Sequence, residues 1–169
     1  MEHRNPPWLK GMIADVHPSV KMGENTFVWS FAIICEGVVI GNNCVVGSAV
    51  YIGKETKIGN GVRIGDKAHV TDHMTIEDNV FIAAMAIMMN DKYPIVNNPR
   101  FKRCDPYLEE GCSIGCASVI LPGVRIGRKA IVGAGAVVSH DVPPGVIIRG
   151  LPARIIKRFS IPEGILENG

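Results

Sequence analysis

The chain has 169 residues, 47% of them hydrophobic and 20% charged, with a formal net charge of only +2. The length implies a single domain (1–169) and the composition an ordered, soluble one, while the near-neutral balance leaves no electrostatic footprint for nucleic acid. No apolar run approaches the length of a membrane span, about eighteen residues, and the opening MEHRNPPWLK lacks the apolar stretch of a secretory leader. Five cysteines (Cys35, Cys44, Cys104, Cys112 and Cys116) show no CxxC spacing. An odd count without a leader reads as reduced thiols, so a cytoplasmic location is expected.

From residue 14 a period of six takes over. Val16, Met22, Val28, Ile34, Ile40, Val46, Ile52, Ile58, Ile64, Val70, Ile76, Ile82 and Met88 fall at strict sixes, and Ile40, Val46, Ile52, Ile58 and Ile64 are each followed by glycine. A period of six is foreign to a helix and is a β-helix repeat. Two positions earlier stands a smaller residue: Thr26, Ala32, Val38, Cys44, Val50, Thr56, Val62 and Ala68. Residues two apart on a strand share a face. Each hexad therefore predicts a short strand with one small and one large inward side chain, then a turn. Gly41-Asn42-Asn43, Gly59-Asn60-Gly61 and Gly65-Asp66-Lys67 supply turn residues that tolerate positive φ.

Three such strands close a triangular coil of eighteen residues, so the outward residue of every third strand shares a face. One face reads Asp15, Ile33, Tyr51, His69 and Ile87; a second reads Phe27, Val45, Arg63 and Phe81; the third reads Lys21, Val39, Lys57 and Thr75. The first two are too apolar to be left in water and point to subunit contacts.

The rhythm breaks after Met88 and is next picked up at Ile114, an interval that is not a multiple of six. The segment 89–111 is polar, basic and proline-containing, and its Tyr93, Phe101 and Tyr107 predict an ordered, functional excursion. Ile114, Ile120, Ile126, Val132 and Val138 then restore the beat, with Cys112, Ser118, Val124, Ala130 and Ala136 in the small slot. Coils are thus expected over 14–88 and 112–140, about six in all. The tail 141–169 opens with Asp141-Val142-Pro143-Pro144-Gly145 and Gly150-Leu151-Pro152-Ala153-Arg154. A short helical or irregular capping segment is expected from Arg154 to Phe159, with the last ten residues fraying.

These features resemble the hexapeptide-repeat family with the pattern [LIV]-G-x-x-[STAV]-x, which implies an all-β, left-handed parallel β-helix. Gly133-Ala134-Gly135-Ala136-Val137-Val138, followed by Asp141-Val142-Pro143 and Gly150-Leu151-Pro152-Ala153-Arg154, is similar to the ending of its acyltransferase subgroup. His17-Pro18-Ser19, Val28-Trp29-Ser30-Phe31, Asn90 at the loop root and Asn98-Pro99-Arg100 within the loop resemble the N-acetyltransferases of nucleotide-linked amino sugars in bacterial polysaccharide pathways. The resemblance implies a homotrimer that moves an acetyl group from acetyl-CoA to the sugar's amino group. It also implies coenzyme contacts at the backbone of Cys116, Ala117, Gly135 and Ala136, and an Asn90 that positions the amine.

Around that core, Arg154 and Lys157 are candidates for the coenzyme's phosphates, although each is equally well a solvated surface cation. His69 and His73 lie one coil below the loop root and are the candidate general bases near neutral pH; the subgroup does not consistently carry a catalytic histidine there. Asp91 and Tyr93 are candidate substrate contacts. Arg100, Lys102 and Arg103 suit a diphosphate, with Tyr93 or Phe101 stacking on a base, against the alternative of a solvated loop. No metal is expected, because only two histidines are near each other and a catalytic zinc site needs a third ligand. An O-acetyltransferase is the nearest rival, weakened by the absence of histidine from 89–111. A structural β-helix subunit is the non-enzymatic one, and it would need neither the long loop nor the characteristic ending.

Overall fold

Each hexad folds as a two-residue strand whose outer residue is exposed or half-buried and whose aliphatic residue points inward. The computed structural model describes residues 14–158, and all its regular structure is β. One sheet, here face A, stacks Asp15–Val16, Ile33–Ile34, Tyr51–Ile52, His69–Val70, Ile87–Met88, Val119–Ile120 and Val137–Val138 in parallel register. Face B begins with Lys21–Met22 and face C with Phe27–Val28. The result is a parallel β-solenoid, consistent with the left-handed β-helix that the resemblance implies. Its core is a set of ladders inside the prism. On face A, Ile34, Ile52, Val70, Met88, Ile120 and Val138 stand over one another with no more than 2% exposure.

The corners explain the glycines and asparagines. The last turn residue adopts φ near +55° to +75° in coil after coil, as at Asn43, Ala49, Gly61, Lys67 and Asn79, and its amide bonds to the coil below, as Asn43 N does to Glu24 O. At one corner the middle turn amides are capped by side chains of the next coil: Glu24 N to Asn42 Oδ1, Asn42 N to Asn60 Oδ1 and Asn60 N to Asp78 Oδ1. That cap brings the next coil close. A Cβ on Gly41, at this corner, would lie 2.6 Å from both the Asn60 Oδ1 and the Gly59 carbonyl oxygen, which is why glycine follows the aliphatic residue.

The structure differs from expectation in three places. The described residues form about seven coils, not about six. The beat resumes before 112, because Tyr107–Leu108 already pairs with Thr75–Ile76 and buries Leu108. The coils also outlast residue 140, since Val142 bridges to Ile126 and Val146–Arg149 joins face C. Third, Arg154–Arg158 is not a helix but a strand, antiparallel to Val146–Arg149. Its run of Ile155 and Ile156 between basic residues covers the open edge of face C, where a helix would leave unpaired ladder groups. Phe159 and the last ten residues lie outside the described residues.

Candidate functional site

The corner between faces C and A carries an unusual run of backbone donors. Ser48 N is capped by Asp66 Oδ1 at 2.7 Å. In the coils above, the corresponding residues are Ala84, Cys116 and Ala134, which offer no carboxylate or amide oxygen. The amides of Asp66, Ala84, Cys116 and Ala134 consequently have no acceptor among the described residues. The middle-turn amides of Glu36, Asp72, Asn90 and Asp78 are also open, with at most two in succession. Successive donors are about 4.8 Å apart along the axis. In its upper two coils side chains are also stripped from this edge: Ala117 and Gly135 occupy the exposed left-handed positions, and a Cβ on Gly135 would meet nothing within 4 Å. Cys116, Ala117 and Gly135 thus belong to one exposed edge, whereas Ala136 is fully buried, with its N–H bonded to Gly133 O and its carbonyl to Val119 N.

The edge ends under the terminal hairpin. Gly150 O accepts from Val137 N, and Ala153 N donates to Val137 O, which folds the turn 150–153 over the same corner. Arg149 and Arg154 are cross-strand neighbours, and Lys157 is opposite Ile147. Like charges placed opposite each other on a sheet are unfavourable without an anion between them. Arg149, which reading by motif missed, is the partner that turns Arg154 from a lone surface cation into part of a cluster.

The loop leaves from the corner between faces A and B. Its neck is closed by the Cys104 N to Asn90 O bond at 2.9 Å and by an antiparallel bridge between Asp91 and Arg103. Asp91 Oδ1 accepts from Tyr93 N, and Asn98 binds Tyr93 O and Arg100 N, so both have local structural work. Arg103 Nε donates to Asp105 Oδ2 at 2.8 Å. Tyr93, Ile95, Val96 and Phe101 are exposed at the tip. The Asn90 side chain is half-buried and has no hydrogen-bond partner among the described residues. Its amide is therefore available to a ligand.

His69 lies on face A, its ring stacked on Tyr51 at 4.8 Å between centroids and 6° between planes. Desolvation against its neighbours lowers the His69 pKa below the usual imidazole value, and the Asp72 carboxylate offsets part of this. His73 is a turn residue at φ 58°, with Nδ1 3.1 Å from Glu55 Oε2. Among the described residues no three His, Cys, Asp or Glu side chains cluster as for a metal. Burial pushes the Cys112 thiol up to about 12, which suits a packing role.

One protomer does not bring these parts together. The open-amide edge and Asn90 occupy opposite corners of face A, separated by the strand Ile87–Met88, a span of roughly 15–20 Å. His69 lies on the face between them. The missed donor run has a signal at spacings of one coil, because Ala84, Cys116 and Ala134 replace Asp66 at the capping position; it becomes visible only once the stacking register is known.

The bacterial transferase hexapeptide (six repeats) family matches residues 19–54 and 105–140, so the chain carries that repeat. The 2,3,4,5-tetrahydropyridine-2,6-dicarboxylate N-acetyltransferase of Staphylococcus aureus (strain JH9) is 40% identical over 82 residues, 48% of this chain and 32% of the relative. The chain thus spans about a third of the curated relatives it matches. Among solved structures, AntD, an N-acyltransferase from Bacillus cereus in complex with dTDP and 3-hydroxybutyryl-CoA, has a TM-score of 0.72 at 22% identity, covering 82% of each chain. An AntD variant with dTDP-4-amino-4,6-dideoxyglucose and coenzyme A gives 0.71 at 24%, covering 83% of this chain and 84% of that one. The acetyltransferase domain of PglB from Neisseria gonorrhoeae FA1090, in complex with acetyl coenzyme A, gives 0.58 at 18%, covering 83% and 56%. At these identities the structural likeness is one of fold.

Proposed function

We propose that this hexapeptide-repeat solenoid is a cytoplasmic, homotrimeric N-acetyltransferase. In this reading it moves the acetyl group of acetyl-CoA to the amino group of a nucleotide-linked amino sugar for polysaccharide biosynthesis. The observation that carries the reading is the run of open amides at Asp66, Ala84, Cys116 and Ala134, ending beneath the Arg149–Arg154 pair. Pantetheine carbonyls accept from such amides, and the phosphates suit the arginines with Lys157 beside them. The coenzyme complexes of AntD and PglB, on the same fold, support that use, and the dTDP-sugar complex supports the acceptor class.

Acyl transfer needs a neutral amine in line with the thioester and a donor for the oxyanion. The amine's lone pair forms the C–N bond, the C–S bond breaks to release the thiolate, and one N–H proton leaves. A preorganised open amide stabilises the oxyanion. Asn90 Oδ1 accepts from the amine and orients it. His69, exposed on the intervening face with a pKa that desolvation lowers, is the base that takes the proton in this reading; His73, paired with Glu55, suits this less. Asp91, Tyr93, Arg100 and Arg103 form the loop that receives the nucleotide, with the two cations for its diphosphate. The separation of Asn90 from the amide edge favours a site completed between copies, and Ile33, Ile87, Phe27 and Phe81, each at least 41% exposed, supply apolar surface for that contact.

The test is thiol release from acetyl-CoA with UDP- and dTDP-linked amino sugars beside simple amines and hydroxyl acceptors. Turnover confined to a nucleotide amino sugar is expected. Turnover only with hydroxyl acceptors overturns the acceptor class, and absence of coenzyme binding overturns the enzyme reading.

A further inference from the structure

The direction of the coenzyme along the open-amide edge determines what its acyl group meets, and this inference rests on the donor reading above. The cations stand at the upper end, at the turn after Arg149, so the thioester belongs at the lower end. Going down from there, the exposed left-handed corner positions are Gly135, Ala117, Met85 and Lys67. The first bulky side chain is Met85, 51% exposed, directly beside the open amide of Ala84. Its backbone sits at φ 60°, a conformation that costs an unbranched residue about 1 kcal/mol relative to glycine or asparagine. Asn43 and Asn79 occupy equivalent turn positions in the neighbouring corner, so the methionine is not there for the turn's benefit.

We propose that Met85 closes the acyl end of the donor edge and restricts the enzyme to a two-carbon acyl group. A longer chain bound with its thioester at the Ala84 or Cys116 amide runs into the methionine side chain. Each methylene misplaced in such a pocket is worth about tenfold or more in discrimination. Replacement by alanine is tolerated by the backbone, because Ala49 and Ala117 hold the same conformation at φ 54° and 53°.

Calorimetric titration of the intact protein with coenzyme A, acetyl-CoA, butanoyl-CoA and 3-hydroxybutyryl-CoA tests this without knowledge of the acceptor. The native chain should bind acetyl-CoA at least tenfold more tightly than either four-carbon ester. Met85→Ala should bring the esters within about threefold of each other while free coenzyme A binds as before, and Met85→Gly, which suits the backbone better, should do the same. Unchanged ratios in both variants, or a native preference for four carbons, overturn the assignment. If the native chain binds no coenzyme A, the donor reading itself falls and Met85 with it.

Discussion

Asn90 and His69 test different halves of the chemistry. Asn90 has a free side-chain amide at a neck already closed by its own backbone carbonyl, so Asn90→Ala should leave the neck intact. Turnover should drop about a hundredfold with coenzyme A affinity unchanged; a native rate in steady-state assays removes Asn90 from the mechanism. For His69 the sign is set by desolvation, which disfavours the imidazolium. The imidazole therefore stays neutral to lower pH than a free histidine, and the acid limb of kcat/KM should fall below the usual imidazole range. His69→Ala should lose that limb and most of the rate, whereas a superimposable profile excludes it as the base. His73→Ala should change little, because its partner is Glu55 of the coil below.

Where the loop returns, the chain has to re-enter the stack in register, and face B shows how. The Tyr107 hydroxyl donates to Glu77 Oε1, Glu110 N donates to Glu77 Oε2 at 2.8 Å, and the Arg125 guanidinium lies 4.0 Å from the Tyr107 ring centroid while pairing with Glu109. The Tyr107 hydroxyl and then the Glu110 amide hold the Glu77 carboxyl below its ordinary value. A carboxylate with a lowered folded pKa contributes stability that is present above its unfolded value and is lost as pH falls through the folded one. Glu77→Gln should flatten the acid side of the stability–pH curve, read by urea denaturation between pH 6 and pH 3. Tyr107→Phe should cost about 1 kcal/mol at neutral pH. No change in either variant would mean that the aliphatic ladder alone restores the register. The resumption at Leu108 was present in the sequence, six residues before Ile114. It was obscured because the preceding small slot holds Pro106, which nonetheless is buried.

At the scale of the molecule, the apolar outward residues of faces A and C have no cover among the described residues of a single chain. A charge at their centre, as in Ile87→Glu or Phe81→Glu, should leave the inward ladders untouched. Analytical ultracentrifugation is expected to find a trimer for the native chain and smaller species for at least one of these variants, with turnover lost and circular dichroism unchanged. A native monomer with full activity would place the whole site on one chain, against the separation across face A. Inward substitutions should act differently: Ile52→Ala, at a fully buried position, should cost about 2–5 kcal/mol without altering the assembly.

The sequence by itself determined the solenoid, the three faces and the identity of every residue on them as far as Met88, because a strict period of six leaves one way to bury Val46 and Ile52 while turning Val45 and Tyr51 outward. It also marked the loop and the ending that carry the functional resemblance. Only the tertiary structure decided that Ala84, Cys116 and Ala134 leave a run of amides uncapped, that Arg149 faces Arg154 across a hairpin, and that Asn90 stands a full face away from the donor edge. Those facts depend on which backbone groups meet between coils, and a hydrogen bond left unmade has no signature in the local sequence.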